Sequence, residues 1–253
     1  MLHCVMCGKV RFFRMPIFNK IFEIMKKILT AFSLLFLLHT AYGQTVANSF
    51  NGSPFAEAYD INGKPFTSTN NANIDGTPML SESWGKGFVK LKSGKQLAVD
   101  ALQFSLLDNE LHFKKDNTEF IFADAVSEFK ISYTQDDLDI NAVFRNGYPD
   151  MGKNTGATFY QVLADGNKLQ LLKYSTKSIQ DNYSYGGPVR KIYKETNEYF
   201  VYDMKNAAIK SISLEKASLI RAAPDFESSI NQYKSKLRSE KEMIAAFNLL
   251  NTQ

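Results

Sequence analysis

Apolar and polar side chains alternate along most of the chain after Trp84. In Val89-Lys90-Leu91-Lys92 every second residue is apolar, Ser93-Gly94 then permits a tight turn, and Leu97 and Val99 resume the apolar positions. Side chains on a strand point to opposite faces, so this alternation predicts strands with one buried and one solvent-exposed face. Two such segments joined by a short glycine-containing turn are typical of a β-hairpin.

The same alternation recurs at short intervals along the chain. Further segments with this pattern lie at residues 102–106, 111–113, 120–122, 129–133, 159–163, 169–171, 192–193, 199–202 and 208–212. Short strands joined mainly by tight turns are typical of an antiparallel meander. We therefore predict a mainly β fold whose body, residues 85–212, is an antiparallel meander that forms a barrel or a sandwich.

The period of the pattern changes after residue 212. Apolar residues then recur at helical spacing, at Phe226, Ile230, Tyr233 and Leu237. Ser239 and Glu242 match a capping box at the start of a second helix, and residues 214–221 suit another short helix. We predict that residues 213–253 form two or three α-helices packed on the β body as part of the same domain.

The N-terminal region has the layout of a secretory signal peptide. Met25-Lys26-Lys27 is basic, residues 28–38 form an apolar run, and Ala41-Tyr42-Gly43 places small residues before Gln44. A run of about eleven residues is shorter than the roughly 20 that a spanning helix needs. We expect cleavage between Gly43 and Gln44, no transmembrane span in the mature chain, and an untranslated extension at residues 1–24.

Residues 44–84 are rich in turn-forming residues. Asn51-Gly52-Ser53-Pro54, Asn62-Gly63-Lys64-Pro65 and Asp75-Gly76-Thr77-Pro78 are all typical turn sequences. We predict an extended lead with one or two short strands before the β body.

Cleavage would change the charge and the cysteine content. The full chain has 30 basic and 26 acidic residues, for a formal net charge of +4. Residues 1–43 hold six of the basic residues and one of the acidic ones, so the mature chain has a net charge of −1. That balance gives no reason to expect a nucleic-acid partner. Cys4 and Cys7 also lie upstream, so we expect no disulfide in the mature protein.

Residues suited to catalysis are scarce in the mature chain. Its one histidine, His112, lies between Leu111 and Phe113, so we expect the imidazole to point away from the core into solvent. No Gly-x-Ser-x-Gly motif is present, and one histidine without cysteine cannot build a zinc site of the usual ligands. We expect neither a cofactor nor a catalytic residue. A carboxylate pair is still open, because the mature chain has 25 acidic residues and no spacing selects two of them.

Two segments resemble known binding loops. Asp137, Asp139 and Asn141 match the start of a calcium loop, although the sixth and twelfth positions are Ala142 and Tyr148 instead of Gly and Glu. These three residues are our candidate metal ligands, with a solvated acidic loop as the alternative. Residues 147–154 approach a phosphate-binding loop but lack its final Ser or Thr and precede a predicted strand, so we reject that interpretation.

An aromatic and glycine-rich loop supplies the candidate ligand-binding residues. Tyr183 and Tyr185 precede Gly186-Gly187-Pro188, a composition that suits stacking on sugars or peptides as well as an ordinary hairpin tip. Trp84 is the third aromatic candidate.

The chain resembles a family of secreted β-rich proteins of Bacteroidota for which no activity is known. The features that it shares are the Lys-Lys signal peptide, the segment Asn51-Gly52-Ser53-Pro54-Phe55, the predicted hairpin at residues 159–173 and the C-terminal helix with Tyr233 and Leu237. The resemblance implies a cell-envelope setting and brings no site residues.

Three functions are compatible with these observations. The first is a non-enzymatic binding or structural module, periplasmic or secreted, whose partner is an envelope protein, a glycan or a lipid. The second is a carrier that holds a hydrophobic ligand inside a β-barrel, suggested by the 26 aromatic residues of the mature chain. The third is a hydrolase that uses two carboxylates.

Overall fold

The computed structural model describes residues 61–66, 73–183 and 188–252, all within the compact unit Gly52–Gln253. Twelve strands lie in these ranges: β1 (Gly63–Pro65), β2 (Ile74–Asp75), β3 (Gly85–Leu91), β4 (Gln96–Ser105), β5 (Glu110–Lys115), β6 (Thr118–Phe122), β7 (Val126–Gln135), β8 (Leu138–Arg145), β9 (Tyr160–Asp165), β10 (Leu169–Asn182), β11 (Arg190–Asp203) and β12 (Ala208–Ile212). The signal peptide and the Gly43–Gln44 cleavage position lie outside the described residues.

The strands form one sheet that is antiparallel except where β2 pairs with β11. Its order is β1-β6-β5-β4-β3-β7-β8-β9-β10-β11-β12. The prediction of a mainly β fold with C-terminal helices is confirmed. A closed barrel, one of the two expected forms, is not found, because β1 and β12 end the sheet without pairing with each other.

Tight turns join several neighbouring strands, as the alternation predicts. Asp116 and Asn117 both have positive φ, 50° and 62°, between β5 and β6. Asp136 and Asp137 repeat this geometry, at 50° and 59°, between β7 and β8. Two consecutive left-handed residues are what a two-residue hairpin turn with the twist of its strands requires.

The sheet narrows to two residue pairs where β8 meets β9, and we call this junction the bend. These strands pair only at Phe144 with Gln161 and at Arg145 with Tyr160. A separate hydrophobic cluster therefore lies on each side of the bend. One is built from β3 to β8 and contains Phe104, Phe129 and Phe144, whose rings lie within 5.1 Å of one another.

The strands after the bend are covered on both faces. Leu169, Leu171 and Val201 pack against the C-terminal helices. On the opposite face, Tyr160 and Phe200 pack beneath the segment that follows β8. Strands β9 to β12 thus form the middle layer of this half of the protein.

Arg145 links the two sides of the bend through ionic contacts. Its guanidinium donates to both carboxylate oxygens of Asp165, at 3.1 and 2.9 Å, and its Nε contacts the buried carboxylate of Glu128. Asp165 also accepts from Gln170, which in turn accepts from the Tyr148 hydroxyl at 2.9 Å.

Three short helices close the chain: α1 (Lys216–Ala222), α2 (Glu227–Gln232) and α3 (Glu240–Thr252), with a 3₁₀ turn at Pro224–Phe226. The prediction of one helix that continues through Leu237 is wrong, because the backbone at Tyr233 is extended and Leu237 has a φ of 57°. Ser239 caps α3 as expected, since its Oγ accepts from the backbone N–H of Glu242 at 3.3 Å. Of the described helices, none combines the length and apolar composition needed to cross a bilayer.

Candidate functional site

The outer half of the β10–β11 hairpin extends beyond strands β9 and β12, and the short strand β2 pairs with its β11 edge. The two strands pair continuously from Leu169 and Asp203 to Asn182 and Arg190, but β9 pairs with β10 only as far as Lys173. Strand β12 likewise stops at Tyr199 of β11. We call residues 178–183 and 188–194 the arm.

The arm exposes large apolar side chains. Tyr183 is 76% exposed, Val189 55% and Ile179 43%. Ile179 is paired with Tyr193, and the same alternation, continued by one residue, places Tyr183 and Val189 on that face. Half of the large hydrophobic residues that are exposed in the described chain therefore lie on one face of the arm.

The outer edge of β10 is open along the arm. The backbone N–H of Lys177 points away from β11, because it donates to the carbonyl of Leu106 at 3.0 Å. The β10–β11 register continues without a shift, so the N–H groups of Ile179 and Asp181 point the same way. No strand in the described part of the chain pairs with β10 there.

The arm carries an excess of positive charge. Arg190, Lys191 and Lys194 lie on β11, and Asp181 is the one acidic residue between positions 178 and 194. The formal net charge of the arm is +2, whereas that of residues 44–253 is −1. The arm is therefore an exposed, apolar and basic element on a chain that is otherwise slightly acidic.

A strap formed by residues 73–82 contacts both the outer part of the arm and its base. Its strand β2 pairs with Lys191 and Ile192, and its carbonyls at Thr77 and Met79 accept from the Lys177 ammonium at 3.0 and 2.5 Å. Burial lowers the pKa of Lys177, against the attraction of Glu195 and Glu82.

The three aromatic candidates have different surroundings. Tyr183 lies at the end of the arm, and Tyr185 lies outside the described residues. Trp84 is half-buried before β3, and the Lys114 ammonium lies 4.4 Å from the centre of its ring. One face of this indole is thus already in contact with a cation, which leaves Tyr183 as the candidate with an accessible ring.

The candidate metal ligands lie on a hairpin and not on a loop. Asp137 is in the turn, and Asp139 and Asn141 lie on β8, where they accept from Thr134 at 3.1 Å and Ser132 at 2.5 Å. Among the described residues, no three His, Cys, Asp or Glu side chains are grouped so as to hold a metal ion. Alternate acidic residues, as in this segment, also suit the exposed face of a strand.

The expectation that His112 faces solvent is wrong. The side chain points away from Leu111 and Phe113, but it is only 1% exposed because the chain before β3 covers this face. Its Nδ1 lies 2.7 Å from Glu119 Oε1, and the Phe66 ring packs edge-on at 4.7 Å. Alternation identifies the face of a strand but not what covers that face.

The sequence analysis did not predict the open edge of β10. The sequence signal for this open edge is the segment from Tyr174 to Tyr183. This segment is unusually long, its apolar and polar residues alternate poorly, and no neighbouring segment has a strand pattern that would accompany it. We found no protein-family model, curated protein or solved structure that matches this chain.

Proposed function

We propose that this chain is an exported protein of the cell envelope that binds a partner protein through the arm and catalyses no reaction. The predicted signal peptide at residues 25–43 supports export. The observation that carries the binding role is that the open edge of β10 coincides with the exposed apolar face of the arm.

The partner that suits this edge is an extended segment of another protein. Backbone N–H and C=O groups on an open edge are satisfied by an added strand, and alternate side chains of that strand would contact Ile179 and Tyr183. The net charge of +2 on the arm favours an acidic segment. A lipid would not satisfy the edge, because hydrocarbon offers no hydrogen-bonding groups to the backbone.

The two weaker functions receive no support from the geometry. The sheet does not close, and phenylalanine rings fill the cluster built from β3 to β8, so it does not resemble a carrier barrel. Glu82, Asp136 and Glu195 line one cleft, but all three are exposed, whereas a general acid of a glycosidase needs a desolvated carboxyl group.

A photo-crosslinking experiment in the native host tests the binding role. A photoreactive side chain at position 179 should give a protein adduct in the envelope fraction, and one at Asn117 in the β5–β6 turn should not. Asp181→Pro removes an outward N–H without touching the β10–β11 ladder, so it should abolish the adduct. Asp181→Asn keeps that N–H and should retain it.

The adduct supports the proposal only if the crosslinked segment, made as a peptide, binds the purified protein and loses affinity with Asp181→Pro. A lipid adduct alone, or equal adducts at positions 179 and 117, would contradict it. Intact mass of the purified envelope protein tests export separately, and a chain that begins at Gln44 is the expected result.

A further inference from the structure

A cleft of about 370 Å³ lies where the strap, the β7–β8 turn and the base of the arm meet. The strap contributes Thr77 and Glu82, the end of β7 contributes Thr134, the turn contributes Asp136, and the hairpin contributes Lys177 and Glu195. Its volume falls within the range of small-molecule sites. The cleft adjoins the partner surface that we propose, because Lys177 and Glu195 lie on the same face of the hairpin as Ile179 and Tyr193, two residues away on each strand.

Lys177 is held in place at the floor of this cleft. Two of its three N–H donors are used by the carbonyls of Thr77 and Met79, which leaves one donor. Glu195 is its cross-strand partner on β11. Burial and the negative charge of Glu195 raise the pKa of Tyr133, a residue of the cluster built from β3 to β8.

Hydrogen-bond acceptors predominate in the lining. The carboxylates of Glu82, Asp136 and Glu195 offer acceptors only, and Lys177 has one donor to give. The formal charge of these four side chains is −2. A ligand that fits this chemistry has several O–H or N–H donors and no negative charge.

We infer that the cleft binds a neutral or amino sugar. A sugar supplies several hydroxyl donors within a volume that the cleft can hold, and its own oxygens can accept from the remaining donor of Lys177. An amino group adds an attraction to the carboxylates that a uronic acid lacks.

Calorimetric titration of the purified mature chain tests this inference. The probes are glucose, galactose, mannose, N-acetylglucosamine, glucosamine, glucuronate and putrescine. At least one of the neutral or amino sugars should bind with a Kd below about 10 mM, and glucuronate should bind at least tenfold more weakly than glucosamine. Glu195→Gln, which preserves side-chain shape, should weaken sugar binding about ten- to hundredfold, as loss of a charged hydrogen bond does.

Asp100→Asn, on the exposed face of β4, is the matched control and should leave binding unchanged. Thermal unfolding of both variants shows whether the fold is kept. If Glu195→Gln unfolds the protein, Glu82→Gln replaces it with the same expected effect. Three results would each overturn the inference. They are binding of putrescine but of no sugar, sugar binding that the glutamate variant does not weaken, and no binding of any sugar.

Discussion

The side chain of Asn251 occupies the space beside Gly166 in which any larger residue would place its Cβ. A Cβ on Gly166 would come within 2.1 Å of the Asn251 amide atoms. The amide is held there by hydrogen bonds from the backbone N–H groups of Lys168 and Leu169, both at 3.0 Å, and by one to the carbonyl of Phe247. The last turn of α3 therefore clamps the turn between β9 and β10.

We expect Gly166→Ala to lower the free energy of unfolding by about 1–3 kcal/mol, because the new methyl group displaces a side chain with four hydrogen bonds. Asn251→Ala should lower it by about 2 kcal/mol through the backbone groups that it leaves unpaired. In the double variant the loss of free energy of unfolding should be smaller than the sum of the two single losses. Urea unfolding measures all three.

Gly156→Ala is the control, since the nearest atom to its Cβ would be the Tyr148 carbonyl oxygen at an ordinary 3.7 Å. It should change the free energy of unfolding by less than about 0.5 kcal/mol. Fully additive losses for Gly166→Ala and Asn251→Ala would show that the two side chains do not compete for space.

Hydrophobic alternation predicts the sheet here because most strands have one buried and one exposed face. In the structure, Gly85 begins β3 and Ile212 ends β12. Helical spacing wrongly predicts one helix that continues to Leu237, because spacing alone cannot show that Tyr233 adopts an extended backbone. The burial of His112 and the open edge of β10 depend on contacts distant in sequence, which no local pattern contains.

The contact between His112 and Glu119 should stabilise the fold. We expect a coupling of about 1–3 kcal/mol in a double-mutant cycle of His112→Ala and Glu119→Ala, because a buried imidazole loses its hydrogen-bond partner. Glu110 is the control, since its carboxylate lies 4.0 Å from His112 Nε2, too far for a hydrogen bond. A cycle with Glu110→Ala that couples as strongly would contradict the role given to Glu119.

Two tyrosines should make the fold sensitive to alkali. Burial raises the pKa of Tyr148 to about 12, and burial with the hydrogen bond to Glu240 raises the pKa of Tyr199 to about 12. The phenol in an unfolded chain ionises near pH 10. Their contribution to stability is therefore fully present below about pH 10 and is lost as the pH rises to about 12.

Tyr148→Phe and Tyr199→Phe should each make the free energy of unfolding fall less steeply over that interval. Tyr183→Phe is the control, because Tyr183 is 76% exposed on the arm. Urea unfolding at several pH values between 9 and 12 measures the slopes. Equal slopes for all three variants would contradict the assignment to buried phenols.

We expect substitution of Arg145 to be among the changes at the bend that lower the free energy of unfolding most. Arg145→Met removes the guanidinium that contacts the buried carboxylate of Glu128, and we expect a loss of about 3–5 kcal/mol. Arg145→Lys keeps the charge but cannot contact Glu128 and both oxygens of Asp165 together, so it should restore part of this loss. Adding Glu128→Gln to Arg145→Met removes the buried negative charge that has lost its contact with Arg145, and it should recover stability relative to Arg145→Met alone. If Glu128→Gln instead lowers the stability of Arg145→Met further in urea unfolding, the loss does not arise from the buried charge of Glu128.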